Sequence, residues 1–237
     1  MTEENDVKRL ADSLLEKAAQ LEERKNAEGM RRFGIVFRKA YGVKRPALKA
    51  IAAPYKNQSD LADELWQRDI HEAYILSVLV ENARNLTADK IDSRVFSFYS
   101  WDICDISCIL YGRTPFVREK IALYVPDERE YVRRAGFVLI LVLSVHDKKA
   151  PDSEFMEYLK RIEEYSFDDR NFVKKAVDWA LRGIGKRNMN LHAAAVETAK
   201  KLSFSPLKSA RWIGRHSLRE LQNEKVMQRI ARSVKGS

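Results

Sequence analysis

Cysteine is almost missing from this chain, with two in 237 residues. Cys104 and Cys108 stand one helical turn apart, which suits two small buried residues and excludes a disulfide-stapled secreted scaffold. Only four scattered histidines (His71, His146, His192, His216) accompany them, so no zinc-ligand spacing is present and no metal site is expected. Long apolar runs are also lacking. The longest, residues 135–145, has eleven residues against the roughly 20 that a bilayer span needs. The opening Met-Thr-Glu-Glu-Asn-Asp is acidic and holds no apolar signal core, so a soluble, cytoplasmic protein is the expectation. Glycine and proline are sparse, nine and six, and no stretch alternates like a half-buried strand with a hairpin turn.

Carboxylates are scarce in two places. The net charge is +9, from 43 Lys+Arg against 34 Asp+Glu. Residues 1–169 carry 27 basic and 30 acidic side chains, net −3, whereas 170–237 carry 16 and 4, net +12. Residues 29–59 hold eight basic side chains (Arg31, Arg32, Arg38, Lys39, Lys44, Arg45, Lys49, Lys56) and no acid. Such segregation is the footprint of a polyanion partner, nucleic acid first and acidic lipid or protein second. Solvated helix faces in a generally basic protein would give the same counts.

The chain, 45% hydrophobic and 32% charged, can bury a substantial core and reads as one domain, 1–237. Thr114-Pro115 and Ser205-Pro206 read as an N-cap followed by the first helical residue, and Ser59 and Thr87 as further starts. The β-branched run 137–143 could pass for a buried strand, but the charged, unbroken segment 127–135 before it favours a central helix buried on most sides. About a dozen helices are expected. Residues 127–135 (Asp-Glu-Arg-Glu-Tyr-Val-Arg-Arg-Ala) match 168–176 (Asp-Asp-Arg-Asn-Phe-Val-Lys-Lys-Ala) without a gap, 41 residues on, and Arg68 to Ala73 matches loosely. A period of about 40–47 residues in a helical chain marks HEAT or armadillo-type pairs, so the expected fold is all-α, a curved solenoid of HEAT-like helix pairs. Stacking such repeats would set Arg133 beside Lys174 and Arg134 beside Lys175 as a basic ladder, on either the concave or the outer face.

Chemistry concentrates at Ser100-Trp101-Asp102-Ile103-Cys104-Asp105-Ile106. On a helix starting after Ser100, Trp101 and Asp105 share a face, while Asp102 sits in the first turn, where a carboxylate caps free N–H groups. Asp105, among Ile103, Cys104, Ile106 and Cys108, needs a partner or a purpose; an arginine on the adjacent helix would supply the first.

Trp101-Asp102-x-x-Asp105, the Arg-Arg-Ala-Gly of 133–136 and the block 171–182 (Asn-Phe-Val-Lys-Lys-Ala-Val-Asp-Trp-Ala-Leu-Arg) resemble the AlkD-type DNA alkylation repair glycosylases. Gly42-Val43 followed by Pro46 also fits that family. The resemblance implies a HEAT-like repeat enzyme that excises positively charged N-alkylated purines from duplex DNA, as a monomer, without metal or cofactor. It implies that Asp105 is the essential carboxylate, Arg134 the active-site arginine that holds a phosphate, and Trp101 and Trp179 the tryptophans that embrace the lesion's backbone. Phe33 stands where the family often has a tyrosine and Ser100 where it has another aromatic, departures that bear on lesion choice and activity. Lys175 and Arg182 join the expected DNA contacts. Trp179 could equally be a core aromatic, and Arg182, Lys186 and Arg187 a solvated helix end. Trp66 and Trp212 read as packing residues. Two other readings stay open: a non-catalytic relative that binds bent or damaged DNA, and a HEAT-type adaptor for acidic proteins in which Asp105 and Arg134 form only an ion pair. A sealed Asp105 would favour the adaptor.

Overall fold

The computed structural model describes residues 3–234, and among them all regular structure is helical. Met1 and Thr2 of the acidic opening lie outside the described residues, as does Lys235 of the basic C-terminal segment. No described helix is long and apolar enough to cross a membrane. The chain packs as two compact units, Met1–Thr114 and Pro115–Ser237.

The first unit holds α1 (Glu3–Ala19), α2 (Arg24–Arg32), α3 (Arg45–Ala52), α4 (Ser59–Trp66), α5 (His71–Val80), α6 (Ala88–Phe96) and α7 (Trp101–Tyr111). Its core is built on α5, which packs against α3, α4 and α7 and buries eight of its ten residues. Leu76 of α5 and Leu14, Leu48, Leu61, Leu65 and Ile91 of the other helices are among the unit's largest fully buried side chains. Thr87 caps α6 as its sequence predicts, its hydroxyl accepting the Lys90 N–H at 3.2 Å. Ser59 is the first residue of α4 rather than its cap. Trp66 packs edge-on against Tyr74 with the Arg94 guanidinium over its ring.

The second unit holds α8 (Val117–Tyr124), α9 (Glu130–His146), α10 (Asp152–Glu164), α11 (Asn171–Gly185), α12 (Met189–Ser203), α13 (Lys208–Leu221) and α14 (Glu224–Val234). Three consecutive pairs, α8/α9, α10/α11 and α12/α13, stack so that α9 packs on α11 and α11 on α13, while α10 packs on α12. The apolar run 137–143 is helical and wholly buried within α9. Gly214 lets α13 approach α12 closely: a Cβ there would fall 2.3 Å from the Ser203 nitrogen and 2.6 Å from the Ala199 carbonyl oxygen.

The 41-residue repeat is a repeated helix start. Asp127 accepts both the Arg129 backbone N–H (2.8 Å) and its guanidinium (2.9 and 2.6 Å). Asp168 does the same for Arg170, at 3.2 Å from the backbone N–H and 2.9 Å from Nε. Arg129 and Arg170 are the N-cap residues of α9 and α11, and the next matched pair, Tyr131 and Phe172, stack on each other at 6.0 Å. The loosely similar Arg68 to Ala73 also opens a helix, but Arg68 turns to Asp12 and Glu64 instead of forming the fork.

Three expectations need correction. Thr114-Pro115 does not start α8, because the Thr114 hydroxyl donates to the Tyr111 carbonyl at the end of α7, and α8 begins at Val117. Ser205-Pro206 forms a turn instead of a cap: the Ser205 hydroxyl accepts the Leu207 N–H, and α13 begins at Lys208. The exposed basic ladder is half missing. Arg133 is buried in an ion pair with Asp168, and Arg134 is buried with its guanidinium donating to the Phe172 carbonyl. Only Lys174 and Lys175 of the matched set reach solvent, because the Arg of one repeat is used to fasten the start of the next.

Candidate nucleic-acid interface

In the first unit, residues 33–44 run without regular structure between α2 and α3, carrying part of the acid-free stretch. A loop of this charge needs internal anchors, and the starts of α5 and α7 supply them. Glu72, fully buried, accepts three consecutive backbone N–H groups: Gly42 (2.8 Å) and Val43 (3.2 Å) on Oε1, Tyr41 (2.9 Å) on Oε2. Gly42 has φ +75°, and a Cβ there would fall 2.4 Å from the Glu23 carbonyl oxygen, so the turn requires glycine. The His71 N–H donates to the Lys39 carbonyl at 2.8 Å. At the other end the Val36 N–H donates to Ser100 Oγ (3.3 Å), and the Trp101 indole N–H donates to the Phe33 carbonyl (3.1 Å). The loop leaves Phe33 74% exposed and Arg38 exposed as well, paired to Asp69 at 3.0 Å.

Helix α7 begins where Ser100 predicts, and Trp101 and Asp105 lie one turn apart on it. Asp105 is buried, with 7% of its surface remaining; it is nearly but not fully closed off. Asp102 does not serve as a simple first-turn cap. Its Oδ1 accepts the Ser100 hydroxyl (2.7 Å), and its Oδ2 lies 2.9 Å from Nε2 of His71, which is itself 2% exposed. Burial works to raise the Asp102 carboxyl, but the hydrogen bond and charge of His71 and the Ser100 hydroxyl outweigh it and hold the group below its ordinary value. Ser100 thus uses its hydroxyl to join the basic loop to the Asp102–His71 pair.

In the second unit, α11 presents Lys175 and Trp179 outward, Trp179 36% exposed, which places that indole at the surface and not in the core. The neighbouring Asp178 is buried and gathers Arg182 (Nε 3.0 Å), the Ser217 hydroxyl (2.8 Å) and His216 Nδ1 (2.9 Å). Arg182 also pairs with Glu220, to which Lys186 donates as well. Burial opposes ionisation of Glu220, yet the bond from Lys186 and the charge of Arg182 keep its carboxyl below the ordinary value. Arg187 spends its guanidinium on the Ser144 and Ala150 carbonyls (3.1 and 2.9 Å). Of the helix-end cations, Arg182 and Arg187 brace the packing around α11.

A family model for DNA alkylation repair enzymes matches residues 14–231. The chain belongs to the DNA alkylation repair enzyme family. Its fold is that of the HEAT-like repeat proteins in this family. A solved member of a family related to the HEAT-like repeat DNA glycosylases, with affinity for branched DNA structures, superposes with a TM-score of 0.79 at 17% identity, covering 92% of this chain and 95% of that one. A predicted DNA alkylation repair enzyme from Enterococcus faecalis superposes with a TM-score of 0.62 at 19% identity, covering 81% and 94%. No curated protein matched the chain.

Within this family member, reading the sequence alone missed three features. Glu72 and His71 were not singled out, although a carboxylate inside the apolar α5 is the same signal that marked Asp105. Asp178 stands in the sequence only as one residue of the block 171–182, with nothing to mark it as the buried partner of Arg182, His216 and Ser217. Trp212, read as packing, is 36% exposed and stacks on His216 at 4.9 Å with 8° between the rings. The cue was the basic periodicity of α13, which runs Lys208, Arg211, Arg215, Arg219.

Proposed function

We propose that this chain is a DNA glycosylase that hydrolyses the N-glycosidic bond of positively charged alkylated purines, of the 3-methyladenine and 7-methylguanine type, in duplex DNA. The observation that carries this reading is the Trp101–Asp105 pair on one face of α7, with the carboxylate nearly desolvated, in a chain matched to the repair family over residues 14–231. An alkylated purine already bears positive charge. Its bond to C1′ breaks heterolytically, the electron pair leaves with the neutral base, and the sugar becomes oxocarbenium-like. No general acid is needed. Asp105 stabilises that cation and positions the water that adds to C1′, and the proton released passes to solvent through the carboxylate. A carboxylate with 7% exposure does this better than a solvated one, since the attraction is less screened. The Trp101 indole offers a cation–π face to the charged lesion, contributing about 1–2 kcal/mol when desolvated.

Phe33 and Arg38 on the stapled loop, and Lys175 and Trp179 on α11, contact the DNA backbone in this reading. Arg134, whose guanidinium also donates to the Phe172 carbonyl at the start of α11, holds a phosphate in this reading, and Arg182, paired with Asp178 beside Trp179, adds a further DNA contact. A second reading, structure-selective binding without turnover, is favoured by the TM-score of 0.79 to a protein with affinity for branched DNA. One experiment separates them: release of free base from methylated duplex, measured beside affinity for a four-way junction and for linear duplex of equal length. Base release at equal affinities supports the glycosylase. Junction preference without release supports the second reading.

A further inference from the structure

Helix α13 repeats cations at Lys208, Arg211, Arg215 and Arg219, and this spacing with Trp212 and His216 keeps all six side chains on one face. They line a cleft of about 310 Å³, and among the described residues no carboxylate lines it. Arg211 is partly spent, donating to the Ser205 and Pro206 carbonyls at 2.8 and 3.2 Å, while Lys208, Arg215 and Arg219 are exposed. Between the cations the Trp212 and His216 rings stack almost parallel, 4.9 Å between centroids and 8° between planes. The stack is held from beneath. Both oxygens of Asp178, which is 1% exposed, lie within 3.0 Å of His216 Nδ1 and fasten that edge of the ring. The Lys174 ammonium lies 5.2 Å from the Trp212 ring centre.

Phosphates alone would account for the cations but not for two rings stacked face to face among them. A base-paired duplex presents phosphates and groove edges and keeps its base faces closed, so a single ring can lie against its backbone but a stacked pair finds no base face to extend the stack. An unpaired base offers an open π-face, and rings interleaved with cations are how proteins grip single strands. We propose that the outer face of α13 binds an unpaired nucleotide of DNA, its base stacked on the Trp212–His216 pair and its flanking phosphates held by Lys208, Arg215 and Arg219. The site deepens the reading that this chain binds DNA and rests on it. It would let the protein engage DNA where strands have separated, next to a frayed end, a gap or a branch.

The test uses fluorescence anisotropy on the full chain with three probes: a blunt duplex, the same duplex with a short 3′ deoxythymidine overhang, and oligo-deoxythymidine alone. The wild type is expected to bind the overhang probe about tenfold more tightly, within the range for one or two stacked bases. Trp212→Ala should reduce that preference to about twofold or less with blunt-duplex affinity unchanged, and Trp212→Phe, which keeps a ring, should retain most of it. Equal affinity of the wild type for the blunt and overhang probes would overturn the site while leaving duplex binding intact. Equal loss of both affinities in Trp212→Ala would overturn it too. Binding of oligo-deoxythymidine that depends on Trp212, with no duplex binding, would uphold the site and remove the glycosylase reading.

Discussion

The Trp101 indole N–H donates to the Phe33 carbonyl across 3.1 Å, tying the start of α7 to a residue 68 positions earlier. One residue that resembles a lesion-binding tryptophan is therefore also the clasp on the basic loop. In the proposed function, chemistry and DNA grip would thus be coupled through a single side chain, and the coupling can be measured.

Trp101→Phe keeps an aromatic face but removes the N–H. Losing this partly exposed bond should cost about 1 kcal/mol of loop anchoring. Amide exchange in residues 33–37 is expected to accelerate, and duplex affinity to fall severalfold. Unchanged exchange would show that the loop is held by its other anchors alone.

Glu72→Gln tests those other anchors. Glutamine keeps one acceptor oxygen where glutamate offers two to the Tyr41, Gly42 and Val43 N–H groups, and it removes the charge that strengthens them. Urea unfolding should show a loss of about 2–3 kcal/mol. A change under about 0.5 kcal/mol, the usual range for surface sites, would contradict the anchoring role.

Asp168 carries a pH dependence. Burial tends to raise its carboxyl, but the hydrogen bonds from Arg170 and Arg133 outweigh burial and hold it below the ordinary value. The unfolded chain therefore binds this proton more readily than the folded one. The stability it contributes is present above the ordinary carboxylate range, near pH ~4, and is lost as pH falls through the depressed folded value. Asp168→Asn should flatten the acid limb of the stability curve. At neutral pH it should cost about 3 kcal/mol, because it leaves the buried Arg133 unpaired. An acid limb as steep as that of the wild type would contradict this.

Two glycines form a matched pair for close packing. Gly214→Ala would force a Cβ to 2.3 Å from backbone, and is expected to destabilise by about 1–3 kcal/mol or more. Gly29→Ala in α2 meets nothing within 4 Å and should raise stability by up to about 1 kcal/mol through helix propensity. Thermal unfolding of both variants checks the sign.

The helical class and the repeat were legible because they rest on periodicity: a 41-residue match reports a local device, the Asp-x-Arg fork, that is built at the start of α9 and again at the start of α11. Where residues such as Arg133 and Arg134 point was not legible. Matched positions carry matched chemistry in sequence, but burial depends on what the next repeat offers, Asp168 and the Phe172 carbonyl in this case. Thr114 and Ser205 misled for a related reason, since a hydroxyl before proline can close the preceding helix or shape a turn as readily as open the next helix. The Asp102–His71 pair joins residues 31 apart, and only tertiary packing brings them together.

The central claim is that Asp105 carries the chemistry. The most direct measurement is single-turnover release of 7-methylguanine from a defined duplex at saturating protein, for wild type and Asp105→Asn, with affinity for undamaged duplex determined in parallel. The account predicts a rate reduced by about 100-fold or more at nearly unchanged affinity, the size expected when a group stabilising transition-state charge is removed. Equal rates for the two proteins, or no release by the wild type, would contradict it.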